Sequence, residues 1–336
     1  MILKTLISLL AITTLWSGVA IAGTLEDVLA RRTLNCGVPD TPGFAAKDEN
    51  GVTQGFDADL CRAVAAAVLN DPNAINFVTL SSSARFPSLN SGEIDVLVRT
   101  TTHTLYRDVD LRLTFVGVNY YDGQGLLVPK ALGITTATGL DGAPICVISG
   151  TTTELNLFDF FERRHMAYEK VVVTNTTEAA LQFTANACVG MTDDISSLAG
   201  IRASLENPQD YALLPDVLSK EPLGPVVREG DEQWADIVGW TLNALKAAEE
   251  LGITRANVNE MANSENPEIL RLLGVEGGLG PKLNLHADWA KRAIAAVGNY
   301  GEIFENHLGV NTVVGLERGY NELWTNGGLM YSPPFR

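Results

Sequence analysis

The sequence is poor in the features that announce catalysis. Its four histidines, His103, His165, His286 and His307, stand apart from one another, with no HExxH pair and no triad spacing. There is no GxSxG, no P-loop and no GxGxxG following a strand, so the common signatures of serine hydrolases, NTPases and dinucleotide enzymes are absent. Basic residues are in deficit: 24 Lys and Arg stand against 40 Asp and Glu, a net charge of −16. Such a chain has no electrostatic footing on nucleic acid or on anionic lipid. Cysteine is limited to four residues with neither a CxxC pair nor a Cys/His cluster, which disfavours a metal site. Beyond residue 22 no apolar run approaches the ~20 residues that a spanning helix needs.

What is present starts at the N-terminus. Lys4 precedes an apolar run from Leu6 to Val19 that closes on Ala20-Ile21-Ala22, the pattern of a cleaved secretory signal. The run is short for a membrane anchor, and no Cys stands at the cleavage point to carry a lipid. Residues 1–22 are therefore expected to be a signal peptide, and the mature chain to be exported and soluble. In an oxidising compartment an even count of cysteines reads as disulfides, with three connectivities open. Spacing favours Cys36 with Cys61 and Cys146 with Cys188, since each pair closes within one half of the chain. Each closure would contribute roughly 3–4 kcal/mol on the chain-entropy account.

A length of 336 residues and an apolar fraction of 46% fit two packed domains. Strand and helix signals alternate, which points to an α/β fold. Leu34–Val38 reads as a strand. The helix after Gly55 carries Leu60, Cys61, Val64 and Val68 on one face, and strands are expected at 76–80 and 94–98. The stretch 117–128 reads as a strand leaving the first lobe, and a second strand–helix series follows to about Leu213. The stretch 222–228 reads as the return strand, ahead of a helix over 231–251. The last 84 residues, beyond Gly252, include an amphipathic helix over 289–297 and are expected to pack on the first lobe. The resulting division is a signal peptide at 1–22, a discontinuous first lobe at 23–128 and 226–336, and a second lobe at 129–225.

Twice an apolar strand runs into a threonine triplet expected to open a helix. The first is Arg99-Thr100-Thr101-Thr102-His103-Thr104, with Arg107 one turn further on. Hydroxyls, free N–H groups and a guanidinium fork there would hold a carboxylate, unless Arg107 instead pairs on the surface with Asp108 or Asp110. The second is Ser149-Gly150-Thr151-Thr152-Thr153-Glu154, which fits a capping box with Thr151 at the N-cap and Glu154 at N3. Asp193-Asp194 follows the strand Cys188–Thr192, at the strand end where α/β sheets place ligands. One of these aspartates is read as a seat for an ammonium group, and the other as a cap for the next helix. An anion receptor facing a cation receptor suits an α-amino acid zwitterion.

At these residues the chain resembles the periplasmic solute-binding proteins of the polar amino acid uptake family, and within it the general L-amino acid-binding proteins of ATP-binding-cassette importers. The resemblance runs through 55–65, 115–125, 150–157, 219–225, 264–269 and 297–302. It implies a type II periplasmic-binding-protein fold, each lobe a mixed sheet flanked by helices, with two crossover strands as the hinge. It implies a monomer that hands L-amino acids of broad range to inner-membrane permease subunits, without a cofactor. By residue, it implies that Arg107, Thr100 and Thr102 hold the α-carboxylate, and that Thr152 completes that cage from the second lobe. Asp194 would bind the α-ammonium and Phe44 would line the side-chain pocket. All four cysteines match the family pairing. Thr100, His103, Val189 and Ile195 depart from the family pattern, which puts side-chain preference in doubt. An enzyme on the same fold, such as a cyclohexadienyl dehydratase-like protein, is the alternative, though no general acid for it is evident. A sensory domain would require a fused membrane or kinase segment, and none is seen.

Overall fold

The computed structural model describes residues 23–336, so the expected signal peptide lies outside the described residues. Two sheets define two lobes. The first sheet runs in the order Ile75–Thr79, Leu34–Val38, Val96–Leu97, Val226–Arg228, Leu113–Phe115. Its first three strands are parallel, and Val226–Arg228 is antiparallel to both neighbours. The second runs Tyr211–Leu213, Tyr120–Pro129, Gly190–Asp194, Pro144–Ile148, Glu169–Val173. Lys220–Leu223 adds to it along the start of Tyr120–Pro129. The central parallel strands Leu34–Val38, Val96–Leu97 and Pro144–Ile148 are mostly buried, while Ile75–Thr79 and Glu169–Val173 lie at sheet edges and are partly exposed.

The helix Phe56–Leu69 explains the C-terminal extension. It is buried on nearly every side, from Phe56 through Val68, and so needs cover on the side away from the sheet. Trp289–Val297, Tyr300–His307 and Glu232–Glu250 supply that cover, joining one apolar cluster with Leu34, Val64 and Trp234. Both cysteine pairs close as spacing favoured: Cys36 with Cys61 and Cys146 with Cys188, at Cα separations of 6.2 and 5.6 Å.

Three expectations are corrected by long-range bonding. The return strand 222–228 is two strands, because Gly224-Pro225 interrupts it, and Pro225 has no N–H for a ladder. Lys220–Leu223 stays with the second sheet and Val226–Arg228 joins the first. The strand expected at 94–98 contracts to Val96–Leu97. The first threonine tract opens no α-helix. It is held extended against the hinge strand by Gly224 N–H to Thr101 O (3.0 Å) and His103 N–H to Pro222 O (2.8 Å), and the chain then makes one wide π turn over Tyr106–Asp110.

The two crossings between lobes touch at glycines. A Cβ on Gly224 would stand 2.1 Å from Gly117 O, and Gly117 itself has φ +142°, a backbone that side chains resist. The extension grips this crossing. Tyr300 donates to Asn119 O (2.9 Å), Asn321 bonds both the N–H and the C=O of Tyr121 (2.7 and 3.1 Å), and Lys246 Nζ donates to Val118 O (2.8 Å).

Candidate ligand-binding site

A cavity lies between the lobes at the C-terminal ends of the strands, where open α/β sheets form their crevice. Thr100, Thr102, Arg107, Arg85 and Arg99 line it from the first lobe; Thr151, Thr152, Thr153, Asp193 and Asp194 line it from the second. Of the residues expected to bind ligand, Thr100, Thr102, Arg107, Thr152 and Asp194 are thus brought together. Phe44 is not. It is fully buried and packs edge-on against Phe56 and Tyr120, at centroid distances of 6.0 and 5.7 Å, because a ring in the first-lobe core buries more surface than one at a polar wall.

Arg107 turns inward rather than pairing with Asp108 or Asp110. It is 5% exposed, donates from Nη1 to Thr102 O at 2.8 Å and lies over the Phe86 ring at 5.4 Å. Burial pulls its pKa below the usual guanidinium range, against the pull of Glu221 and Asp194. Thr102 and Thr152 meet across the cleft, their hydroxyls 3.3 Å apart. Thr151 caps the helix Thr152–Glu162 by accepting from Glu154 N–H (3.2 Å). The Glu154 carboxylate reaches back one residue further than a capping box, to Gly150 N–H (3.0 Å). Thr151, Thr152 and Thr153, at the start of this helix, line the cavity, and a helix start favours an anion.

Asp194 presents its carboxylate to the cavity, and among the described residues no donor reaches that carboxylate. Burial first, then the carboxylates of Asp122, Asp193 and Glu221, push its pKa well above the ordinary range. A ligand cation would relieve that repulsion. Neither aspartate caps the following helix. Asp193 accepts from Asp194 N–H at 2.9 Å, and Asp122 on the neighbouring strand takes Ser196 N–H (3.3 Å) and its hydroxyl. Capping from the adjacent strand leaves Asp194 free for the cavity. Ile195 packs over Gly123 and Gly125, where no Cβ intervenes, and His103 stacks on Phe115 at 4.3 Å, outside the cavity lining.

Sequence reasoning missed several residues here. Glu221, on the hinge strand, is 1% exposed and accepts from Thr152 Oγ1 (3.0 Å), Asn156 Nδ2 (2.8 Å) and the Ser219 hydroxyl. It ties the second-lobe helix to the hinge. Arg85 and Arg99 flank Ser82 beside the cavity; a cation just beyond the strand Ile75–Thr79 was the available signal. Asp57 holds the first threonine tract through Thr100 N–H and the hinge through Asn119 Nδ2, both at 3.1 Å.

Burial pushes the Asp57 carboxyl up to about 7. The folded state then binds its proton more tightly than the unfolded chain, so stability should fall as pH rises from about 4 to about 7 and level off above. Asp57→Asn is expected to make that decline shallower without abolishing it, since burial also raises Asp122 to about 7 and Asp193 to about 6, as measured by urea midpoints between pH 4.5 and 8. An unchanged slope would remove Asp57 as its source.

The family profile of bacterial extracellular solute-binding proteins, family 3, matches residues 34–255. The chain belongs to that family. This solute-binding protein is 56% identical over 328 residues to the glutamate/glutamine/aspartate/asparagine-binding protein BztA of Rhodobacter capsulatus, covering 97% of each chain. It is 49% identical to the general L-amino acid-binding periplasmic protein AapJ of Rhizobium johnstonii, over 97% of this chain and 96% of the relative. Among solved structures, a periplasmic binding protein of an ABC transporter from Brucella ovis, with glutathione bound, superposes with a TM-score of 0.92 at 49% identity. That match covers 94% of this chain and all of the other. The protein is thus a receptor rather than an enzyme, and the dehydratase alternative finds no support.

Proposed function

We propose that the protein is a periplasmic receptor that captures L-α-amino acids between its lobes and delivers them to the permease of an ABC importer. The observation that carries this reading is the cavity's polarity: Arg107 and Asp194 line it together without pairing with each other. In the proposed complex Arg107 takes the α-carboxylate bidentately, with Thr100 and Thr102 beside it and Thr152 arriving from the second lobe. Asp194 takes the α-ammonium. Contacts from the second lobe favour the closed form, which is how a ligand drives hinge closure. The names of the relatives, which bind amino acids or glutathione, support the ligand class. The N-terminal pattern of residues 1–22 and the two disulfides support export to the periplasm without a lipid anchor. We also take the protein to act as a monomer, with the lobes divided at 23–128 plus 226–336 and 129–225.

The test is a thermal-shift panel of the twenty L-amino acids, since a ligand that binds only the native state raises Tm. L-amino acids should raise it, while the matching amines and carboxylic acids, each lacking half the zwitterion, should not. A panel in which no L-amino acid shifts Tm overturns the reading.

A further inference from the structure

We propose that Asn321, in the C-terminal extension, is a positioning residue for closure of the lobes. Through it the extension raises the affinity for every ligand by the same factor, without touching any of them.

The tie answers a gap in the hinge. Tyr121 stands opposite Pro222 in the second sheet, and Pro222 has no N–H to give. The Pro222 carbonyl is engaged elsewhere, accepting from His103 N–H at 2.8 Å. Tyr121 therefore turns its own N–H and C=O away from Pro222, and among the described residues no strand pairs with it on that side. Peptide groups inside a protein need partners. The Asn321 carboxamide supplies both: its oxygen accepts from Tyr121 N–H at 2.7 Å, and its nitrogen donates to Tyr121 O at 3.1 Å. One side chain thus stands in for a residue of a neighbouring strand.

Asn321 is anchored in the first lobe. It is 3% exposed, and its main-chain carbonyl accepts from Arg318 Nε and Nη2 at 3.1 and 2.8 Å. Arg318 pairs with Glu249 on the helix Glu232–Glu250 and lies over the Tyr300 and Phe304 rings at 5.4 and 5.6 Å. Both rings belong to the first-lobe apolar cluster. Tyr121, by contrast, sits in Tyr120–Pro129, a strand of the second sheet. The two bonds therefore span the lobes.

The lobes are closed in this arrangement, with the Thr102 and Thr152 hydroxyls 3.3 Å apart across the cleft. Swinging the second sheet away would draw Tyr121 off an amide that Arg318 keeps in place, and hydrogen bonds weaken steeply with distance and angle. The tie favours the closed form whichever ligand fills the cavity, and apparent affinity scales with the closed fraction. Asn321 does not line the cavity, so it has no means of telling ligands apart. Arg318 and Asn321 both lie beyond residues 34–255, the stretch that the family profile matches.

The experiment is calorimetry with L-glutamate and L-alanine on the wild type, Asn321→Ala and Asn321→Asp, with small-angle scattering of the ligand-free proteins. The choice of probes rests on the amino acid reading above. Asn321→Ala should lose about 5–50-fold for both ligands by the same factor, and its ligand-free radius of gyration should exceed that of wild type. Asn321→Asp should move in the same direction, since it keeps an acceptor for Tyr121 N–H but has no donor for Tyr121 O. A bond that only supports the fold would lower Tm and leave both affinities unchanged. That result overturns the proposal, as does a loss confined to one ligand. Should Asn321→Ala fail to fold, Asn321→Asp decides by the same criterion. Should wild type bind neither ligand, the amino acid reading fails and scattering alone decides, equal radii overturning the tie.

Discussion

Arg107→Ala is expected to lose about 2–5 kcal/mol of amino acid affinity, a weakening of roughly 30- to 5,000-fold. The guanidinium is 5% exposed and its one protein hydrogen bond goes to Thr102 O. The rest of its fork remains for a carboxylate, which truncation would leave buried and unpaired. The ligand-free protein should be little affected, because Arg107 makes no ion pair among the described residues and its burial already works against its charge. Arg107→Lys should recover only part of the affinity, one point charge replacing a bidentate fork. Calorimetry decides: unchanged affinity in Arg107→Ala would refute the assignment.

Gly200→Ala should weaken binding without touching the ligand. Gly200 lies in the second-lobe helix Ile195–Ser204, and a Cβ there would stand 2.3 Å from Pro42 O on the first lobe. A carbonyl fixed in backbone cannot rotate aside, so the methyl group holds the lobes apart. Ala199 beside it packs into the first-lobe apolar cluster with Phe44 and Tyr120, so this helix face is the contact between lobes. Restricting the closed form to a fraction f of molecules raises the apparent Kd by 1/f, and a loss of about 10–100-fold is expected. Alanine is also a better helix former than glycine by about 1 kcal/mol. Ligand-free stability should therefore hold or rise while affinity falls, and small-angle scattering at saturating ligand should show a larger radius of gyration. Wild-type affinity and wild-type radius together would show that this contact does not govern closure.

Phe44 illustrates where sequence reading stopped. Its place in the loop after the first strand was legible, but its direction was not. In the structure its ring enters the core and its carbonyl accepts from Asp57 and Ala58 N–H (2.9 and 3.2 Å). That arrangement fixes the loop that sets Pro42 on Gly200. Phe44 thus acts on the cleft from behind. Asp57 shows the same limit: in sequence it is one of several acids at a helix start, and only the fold brings Thr100 and Asn119 to it.

Thr100 marks a further boundary. It has φ +36°, a region where a β-branched residue is strained and asparagine is at ease. Thr100→Asn should therefore raise Tm; a lower Tm would mean that the Thr100 side chain contributes more than its backbone costs.

The sequence by itself determined the alternation of strands and helices, the two lobes and the cysteine pairs. It also supplied the threonine tracts with Arg107 and the Asp193-Asp194 pair. These follow from periodicity, spacing and short motifs, each contained in one stretch of chain, whereas the parts given to Thr152 and Asp194 came from the family resemblance. Only the tertiary structure decided that the first tract is extended rather than helical, that Asp122 relieves Asp194 of capping, and that Arg85 faces the cavity without a partner. The reason is physical. Hydrogen-bond competition and charge balance are summed over groups that sequence separates widely, as with Asp122 and Ser196 (74 residues apart) or Thr152 and Glu221 (69 apart). No local pattern records which of those groups will be left over.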